Sequence, residues 1–132
     1  MASTVIPGLR YQDAKAAIAF LVDAFGFEPG LVVEGEGDII EHGQLIHGAG
    51  MVMLGSTRDD EYSRLVGSDT SPTATGVYVI VEDVAAHAEQ ARAAGAEILI
   101  EPAEQDYGGS NYTARDPEGH IWNFGSYNPW RD

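Results

Sequence analysis

His42 and Gln44 stand two residues apart in an extended stretch, so both side chains leave the same face of a strand. A neutral imidazole beside a carboxamide suits the binding of a polar group or the transfer of a proton near neutral pH. His42 is therefore the candidate catalytic residue. His47, five positions on, falls on the opposite face, which argues against a shared metal pair. His87 lies near the apolar stripe of a helical segment and His120 follows Gly119, so both are expected to be structural or at the surface. Arg10 shares a strand face with Ile6, and Arg115 with Asn111 and Thr113. A guanidinium in such a place grips a carboxylate or planar acceptor with two parallel hydrogen bonds, or closes a rim ion pair. The ion pair is the expectation for Arg115. Tyr107, Tyr127 and Trp130 are placed to supply aromatic contacts at a cavity mouth or a subunit interface. No G-x-S-x-G elbow, phosphate loop or HExxH sequence is present. The chain also has no cysteine, which removes thiolate nucleophiles and disulfides together.

The elements that carry these residues repeat. Residues 12–28 and 82–97 each run through an acidic cap, an alanine-rich amphipathic helix, a stop glycine and an extended segment. Asp13 and Asp83 are the caps, and Gly26 and Gly95 the stops. Strands are expected at 4–11, 28–34, 39–47, 51–55, 76–81, 97–101, 110–115 and 120–126, the last two joined by the turn Asp116-Pro117-Glu118-Gly119. Each copy then reads β-α-β-β-β. Module one spans about 1–56, a polar and mobile linker about 57–75, and module two about 76–132. At 132 residues the two copies are expected to share one core as a single α+β domain, with helices on the outer face and curved mixed sheets around a cavity. Strand parity places Trp122 and Phe124 under the helices and Asn123 on the other face. The strand at 76–81 is apolar on both faces, with Tyr78 and Ile80 opposing Val77, Val79 and Val81; Tyr11, Tyr78 and Tyr112 are expected on the helix side.

Composition limits the partners. Seven basic against 21 acidic residues leave a formal net charge of -14, spread along the chain, which disfavours nucleic acid and anionic membrane surfaces. The ligand is expected to be neutral or cationic. Without a long apolar run or a secretory leader, the sequence predicts a soluble, cytoplasmic protein.

Three stretches, 9–28 (LRYQDAKAAIAFLVDAFGFE), 77–97 (VYVIVEDVAAHAEQARAAGAE) and 107–124 (YGGSNYTARDPEGHIWNF), resemble the vicinal oxygen chelate superfamily, the group of glyoxalases, bleomycin-resistance proteins and extradiol dioxygenases. The resemblance implies paired β-α-β-β-β modules around a ligand cavity and, in many relatives, dimers. It also implies a divalent metal held by side chains from the first and last strands of both modules. Those places carry over to Ile6, Met53, Val77 and Asn123, none a histidine or carboxylate, so no metal and no other cofactor is expected. The implied cavity lining comprises these four with Arg10, His42, Gln44, Val79, Asn111 and Thr113. The expected function is metal-independent binding of a small organic molecule, such as sequestration of an antibiotic or toxic metabolite, by a homodimer. Two enzymatic alternatives stand beside it: a glyoxalase-like lyase, isomerase or dioxygenase with a metal recruited at His42 and Glu41 or Glu101, and metal-free acid–base catalysis by His42.

Overall fold

The computed structural model describes residues 2–61, 63, 76–106 and 108–130. Most of the expected linker, and Tyr107, lie outside the described residues. Contacts divide the chain into two compact units, Met1–Ser71 and Pro72–Asp132.

The first unit contains β1 (Gly8–Tyr11), α1 (Ala14–Phe25), β2 (Glu28–Glu34), β3 (Ile40–His47) and β4 (Gly50–Ser56), with strand order β1-β4-β3-β2. Asp13 begins α1 by accepting the Ala16 N–H at 3.0 Å. Gly26 ends it in the left-handed region at φ 80°, which lets the Gly26 and Phe27 N–H groups turn back to Val22 and Leu21 carbonyls. Tyr11, Leu45, Val52 and Leu54 meet Leu21 and Phe25 in a closed core on the helix side. One strand breaks its alternation. Val33 pairs with His42 but Glu34 with Ile40, so Glu41 is an extra residue that swings Ile40 to the buried face of the strand.

The second unit repeats the plan with β5 (Gly76–Ile80), α2 (Val84–Ala93), β6 (Glu97–Glu104), β7 (Ser110–Arg115) and β8 (Ile121–Gly125), ordered β5-β8-β7-β6. In both units the first and last strands run parallel, and the remaining pairs are antiparallel. Gly8 pairs with Met53 and Gly76 with Ile121; 53 minus 8 and 121 minus 76 are both 45, so the two modules share one register. Asp83 caps α2 through the Ala86 N–H at 3.0 Å. The helix offers only Val84, Ala88 and Ala91 to the core, and Tyr112, Trp122 and Phe124 fill the space from the sheet. The Asp116–Gly119 turn is tied into the same core. Asp116 accepts the Glu118 and His120 N–H groups on Oδ1 and the Trp122 indole N–H on Oδ2 at 3.1 Å.

The fold class and the two β-α-β-β-β modules are as the sequence predicts. The first strand is shorter at its start than the expected 4–11, because Pro7 has no N–H to donate to a ladder. Among the described residues no helix is long and apolar enough to cross a membrane.

Candidate functional site

In the first unit the sheet has a helix face, carrying Tyr11, Leu45, Val52 and Leu54, and an open face. On the open face Gly8 lies beside Met53, and Met53 beside Gln44 across the next ladder. Arg10 and His42 extend the same surface. A pocket of about 290 Å³ is lined there by Gly8, Arg10, Glu41, His42, Met53 and Gly55, among others. The predicted residues Arg10, His42 and Met53 are thus brought together, with Gln44 adjoining: its Nε2 lies 3.0 Å from His42 Nε2. With the amide as donor, His42 Nε2 accepts and the ring proton sits on Nδ1. Ile6 is a correction. It precedes β1 and is not among the pocket's lining residues, so the place beside Met53 belongs to Gly8.

Arg10 is engaged by its own module. Its Nη1 donates to the Ser56 carbonyl at 2.9 Å and Ser63 Oγ at 3.1 Å, with Asp60 at 3.5 Å. Arg58 joins from the other side, donating to the carbonyls of Ile40, Glu41 and Ser56 and pairing with Asp60 at 3.3 Å. The Ser63 backbone N–H and hydroxyl, followed by the two guanidinium charges, hold the Asp60 carboxyl below its ordinary range. This network fastens the chain just past β4 against the pocket end of the sheet. Arg58 and Asp60 sit in a polar, aperiodic stretch, and nothing in their spacing announces the role.

The second unit corrects the parity of its first strand. Val77 pairs with Trp122 and Val79 with Phe124, and both partners are buried under the helix face, so Val77 and Val79 point to that face as well. Tyr78, expected in the core, is on the open face beside Asn123. Tyr11 and Tyr112 are buried as expected. Asn111, Thr113 and Asn123 do share the open face: Thr113 Oγ1 donates to Asn123 Oδ1 at 2.7 Å, and Gln105 Nε2 donates to Asn111 Oδ1 at 3.0 Å. Arg115 forms the expected ion pair, to Glu97 at 3.5 Å.

The other titratable candidates serve structure. His87 Nδ1 and the Tyr112 hydroxyl are 2.6 Å apart, and burial pushes the Tyr112 phenol well above its usual pKa. His47 packs edge-on against Phe27, and burial lowers its pKa despite the nearby Glu28. Glu101, one of the carboxylates considered for a recruited metal, is gripped by Arg92 at 2.6 and 3.2 Å.

On the open faces, strand register pairs Gly8 with Met53 in the first unit and Tyr78 with Asn123 in the second. One has no side chain, one is a thioether, one a phenol, and the Asn oxygen is occupied by Thr113. This set does not fit a divalent ion. Among the described residues no three His, Asp or Glu side chains gather in a group that could hold one.

Residues 4–124 match the sequence pattern of the Glyoxalase/Bleomycin resistance protein/Dioxygenase superfamily. An uncharacterised protein of Mycobacterium bovis is 34% identical over 125 residues, covering 90% of this chain and 80% of its own. The crystal structure of TioX from Micromonospora sp. ML1 superposes with a TM-score of 0.75 at 34% identity, covering 93% of this chain and 94% of that one. The fosfomycin resistance protein FosX of Listeria monocytogenes superposes at 0.68 with 14% identity, covering 100% and 96%, a likeness of fold alone.

Proposed function

Because the chain belongs to the Glyoxalase/Bleomycin resistance protein/Dioxygenase superfamily, we propose that it binds a small, partly apolar organic molecule without a metal, and that sequestration is its role. The observation that carries this reading is that the open-face pairs Gly8–Met53 and Tyr78–Asn123 offer neither an imidazole nor a carboxylate. A pocket of about 290 Å³ lined by Met53 and His42 suits a compact ligand that is apolar with one hydrogen-bonding group. In this reading the two modules act as one cytoplasmic domain and two copies pair.

The test is calorimetric titration of the chelator-treated protein with hydrophobic and cationic antibiotics, beside the Met53→Lys variant. Saturable binding in excess EDTA, lost in Met53→Lys, is expected. Binding that appears only on adding a divalent ion, or no binding by any compound, sinks the proposal.

A second reading draws on His42 lining the pocket: metal-free acid–base catalysis. In the arrangement seen here Nε2 already accepts from Gln44, which favours binding over proton abstraction at that nitrogen. His42→Ala separates the two, since a binder is weakened by it and an enzyme is silenced.

A further inference from the structure

The ring of His42 has two nitrogens, and the first unit engages one of them. Its Nε2 lies 3.0 Å from Gln44 Nε2, and an amide nitrogen can only donate, so the ring accepts there and a neutral imidazole carries its proton on Nδ1. Among the described residues the His42 side chain has no other hydrogen bond or ion pair. Nor is Nδ1 sealed off, because the buried side-chain nitrogen or oxygen without a partner among those residues is Arg115 Nε. His42 lines the pocket, so its Nδ1–H is a donor left open to what enters there.

Gln44 makes this donor dependable. It leaves β3 on the same face as His42, two residues on, and pairs across the next ladder with Met53, which lines the pocket too. The strand fixes the amide, and the amide selects the tautomer. A histidine without such a partner moves its proton between the two nitrogens and presents a donor or an acceptor as the ligand demands. One that accepts from an amide presents a donor, at a smaller ordering cost on binding. The nearby charges set a second requirement. Arg10 and Arg58 both meet Asp60, and Glu41 brings a second carboxylate to the pocket, so among these groups two formal positive charges stand against two negative. Both guanidiniums also donate to backbone carbonyls. In a chain of net charge -14, an anionic acceptor finds no surplus of positive charge in this set.

We propose that Gln44 is a positioning residue that fixes His42 as a hydrogen-bond donor, and that the ligand presents a neutral acceptor, a carbonyl oxygen or an unprotonated ring nitrogen, to His42 Nδ1–H. The proposal rests on the binding role above and names the ligand class for it.

The first measurement is the long-range hydrogen–nitrogen correlation spectrum of the histidine side chains in the full chain at about pH 8.5, with His42→Ala identifying the His42 signals. Wild type is expected to show the Nδ1–H tautomer. Gln44→Met, which keeps the length of the side chain without the amide, should show a mixture of the two, with near-ultraviolet circular dichroism as the check on folding. Gln44→Leu carries the test if Gln44→Met does not fold. The Nε2–H tautomer in wild type, or the same tautomer in wild type and the folded variant, overturns the proposal. The second measurement is titration, read at the His42 nitrogens, with quinoline, a neutral acceptor; indole, a neutral donor; and 2-naphthoate, an anionic acceptor. Wild type should bind quinoline about threefold to tenfold more tightly than indole, as one hydrogen bond requires, and more tightly than 2-naphthoate. Gln44→Met should bring the quinoline-to-indole ratio toward one. Tighter binding of indole or 2-naphthoate, an unchanged ratio in the variant, or no binding of quinoline to wild type overturns the proposal. If it fails while antibiotics still bind in EDTA and Met53→Lys still weakens them, the small-molecule role survives without this ligand class.

Discussion

The two modules share a topology and a 45-residue register but divide bulk and polarity in opposite ways. In module one the helix brings volume, with Leu21 and Phe25, against Leu45, Val52, Leu54 and one aromatic, Tyr11, from the sheet; in module two the helix brings Val84 and alanines and the sheet brings Tyr112, Trp122 and Phe124. The open faces diverge as well. At Gly55 the missing Cβ makes room for the Glu41 carbonyl and the Arg58 guanidinium, leaving a polar-edged pocket, whereas at the equivalent Gly125 it makes room for Tyr78. One duplicated frame thus carries two surfaces of different chemistry, because a β-sheet's open face can be rewritten without disturbing the face that packs the helix.

The core contrast is broken most severely by Trp122→Ala. It removes the largest fully buried side chain and strands Asp116 Oδ2, and should cost about 3–5 kcal/mol in urea unfolding. Leu21→Ala, the counterpart on the helix of module one, should cost about 2–5 kcal/mol. Ala88→Leu, which forces a larger side chain into the closed core of module two, should cost about 1–3 kcal/mol. If Ala88→Leu is neutral, the large-sheet, small-helix description of module two is wrong.

Asp116→Asn sharpens the same comparison, since module one has no equivalent of this pinned turn. An amide cannot accept at both ends, so one of the three donors loses its partner, and a loss of about 1–3 kcal/mol in unfolding free energy is expected. The paired glycines come next. Gly55→Ala sets a Cβ 3.1 Å from the Glu41 carbonyl oxygen, a backbone atom, and should lower the thermal midpoint while leaving tyrosine circular dichroism unchanged. Gly125→Ala pushes on Tyr78 and should change that signal. Identical spectra for the two would remove the distinction between the open faces.

The smallest effect belongs to His47. Its pKa in the folded chain lies below the ordinary value because burial disfavours the imidazolium, so the unfolded chain takes up the proton first as pH falls below about 6.5. The stability it contributes is present above that value and is lost as pH falls toward the folded pKa. Between about pH 7 and about pH 5 wild type should therefore lose more stability than His47→Gln, as read by chemical denaturation at each pH. No difference between the two slopes would place His47 in solvent.

Much of this is legible in the residues themselves. The caps Asp13 and Asp83, the stop glycines, the turn at Asp116 and the order of the eight strands all rest on local chemistry, which acts over a few residues and leaves a periodic signature. Alternation likewise placed Trp122, Phe124 and Tyr112 in the core, and His42 with Gln44 on one face. Where alternation was uninformative, it misled. The strand at 76–80 is apolar on both sides, so the sequence could not say whether Tyr78 or Val77 faces the helix.

What the chain determined alone, then, is the duplicated frame and, where the resemblance implies a metal, residues Ile6, Met53, Val77 and Asn123 that are neither histidine nor carboxylate. The tertiary structure decided which residues lie beside Met53 and Asn123 on the open faces, Gly8 and Tyr78 rather than Ile6 and Val77. It also decided that Arg10 is bound up with Arg58, Asp60 and Ser63. The reason is physical: a strand's own residues set its two faces, but which face meets the core is settled by hydrogen-bond register with a neighbour 45 residues away.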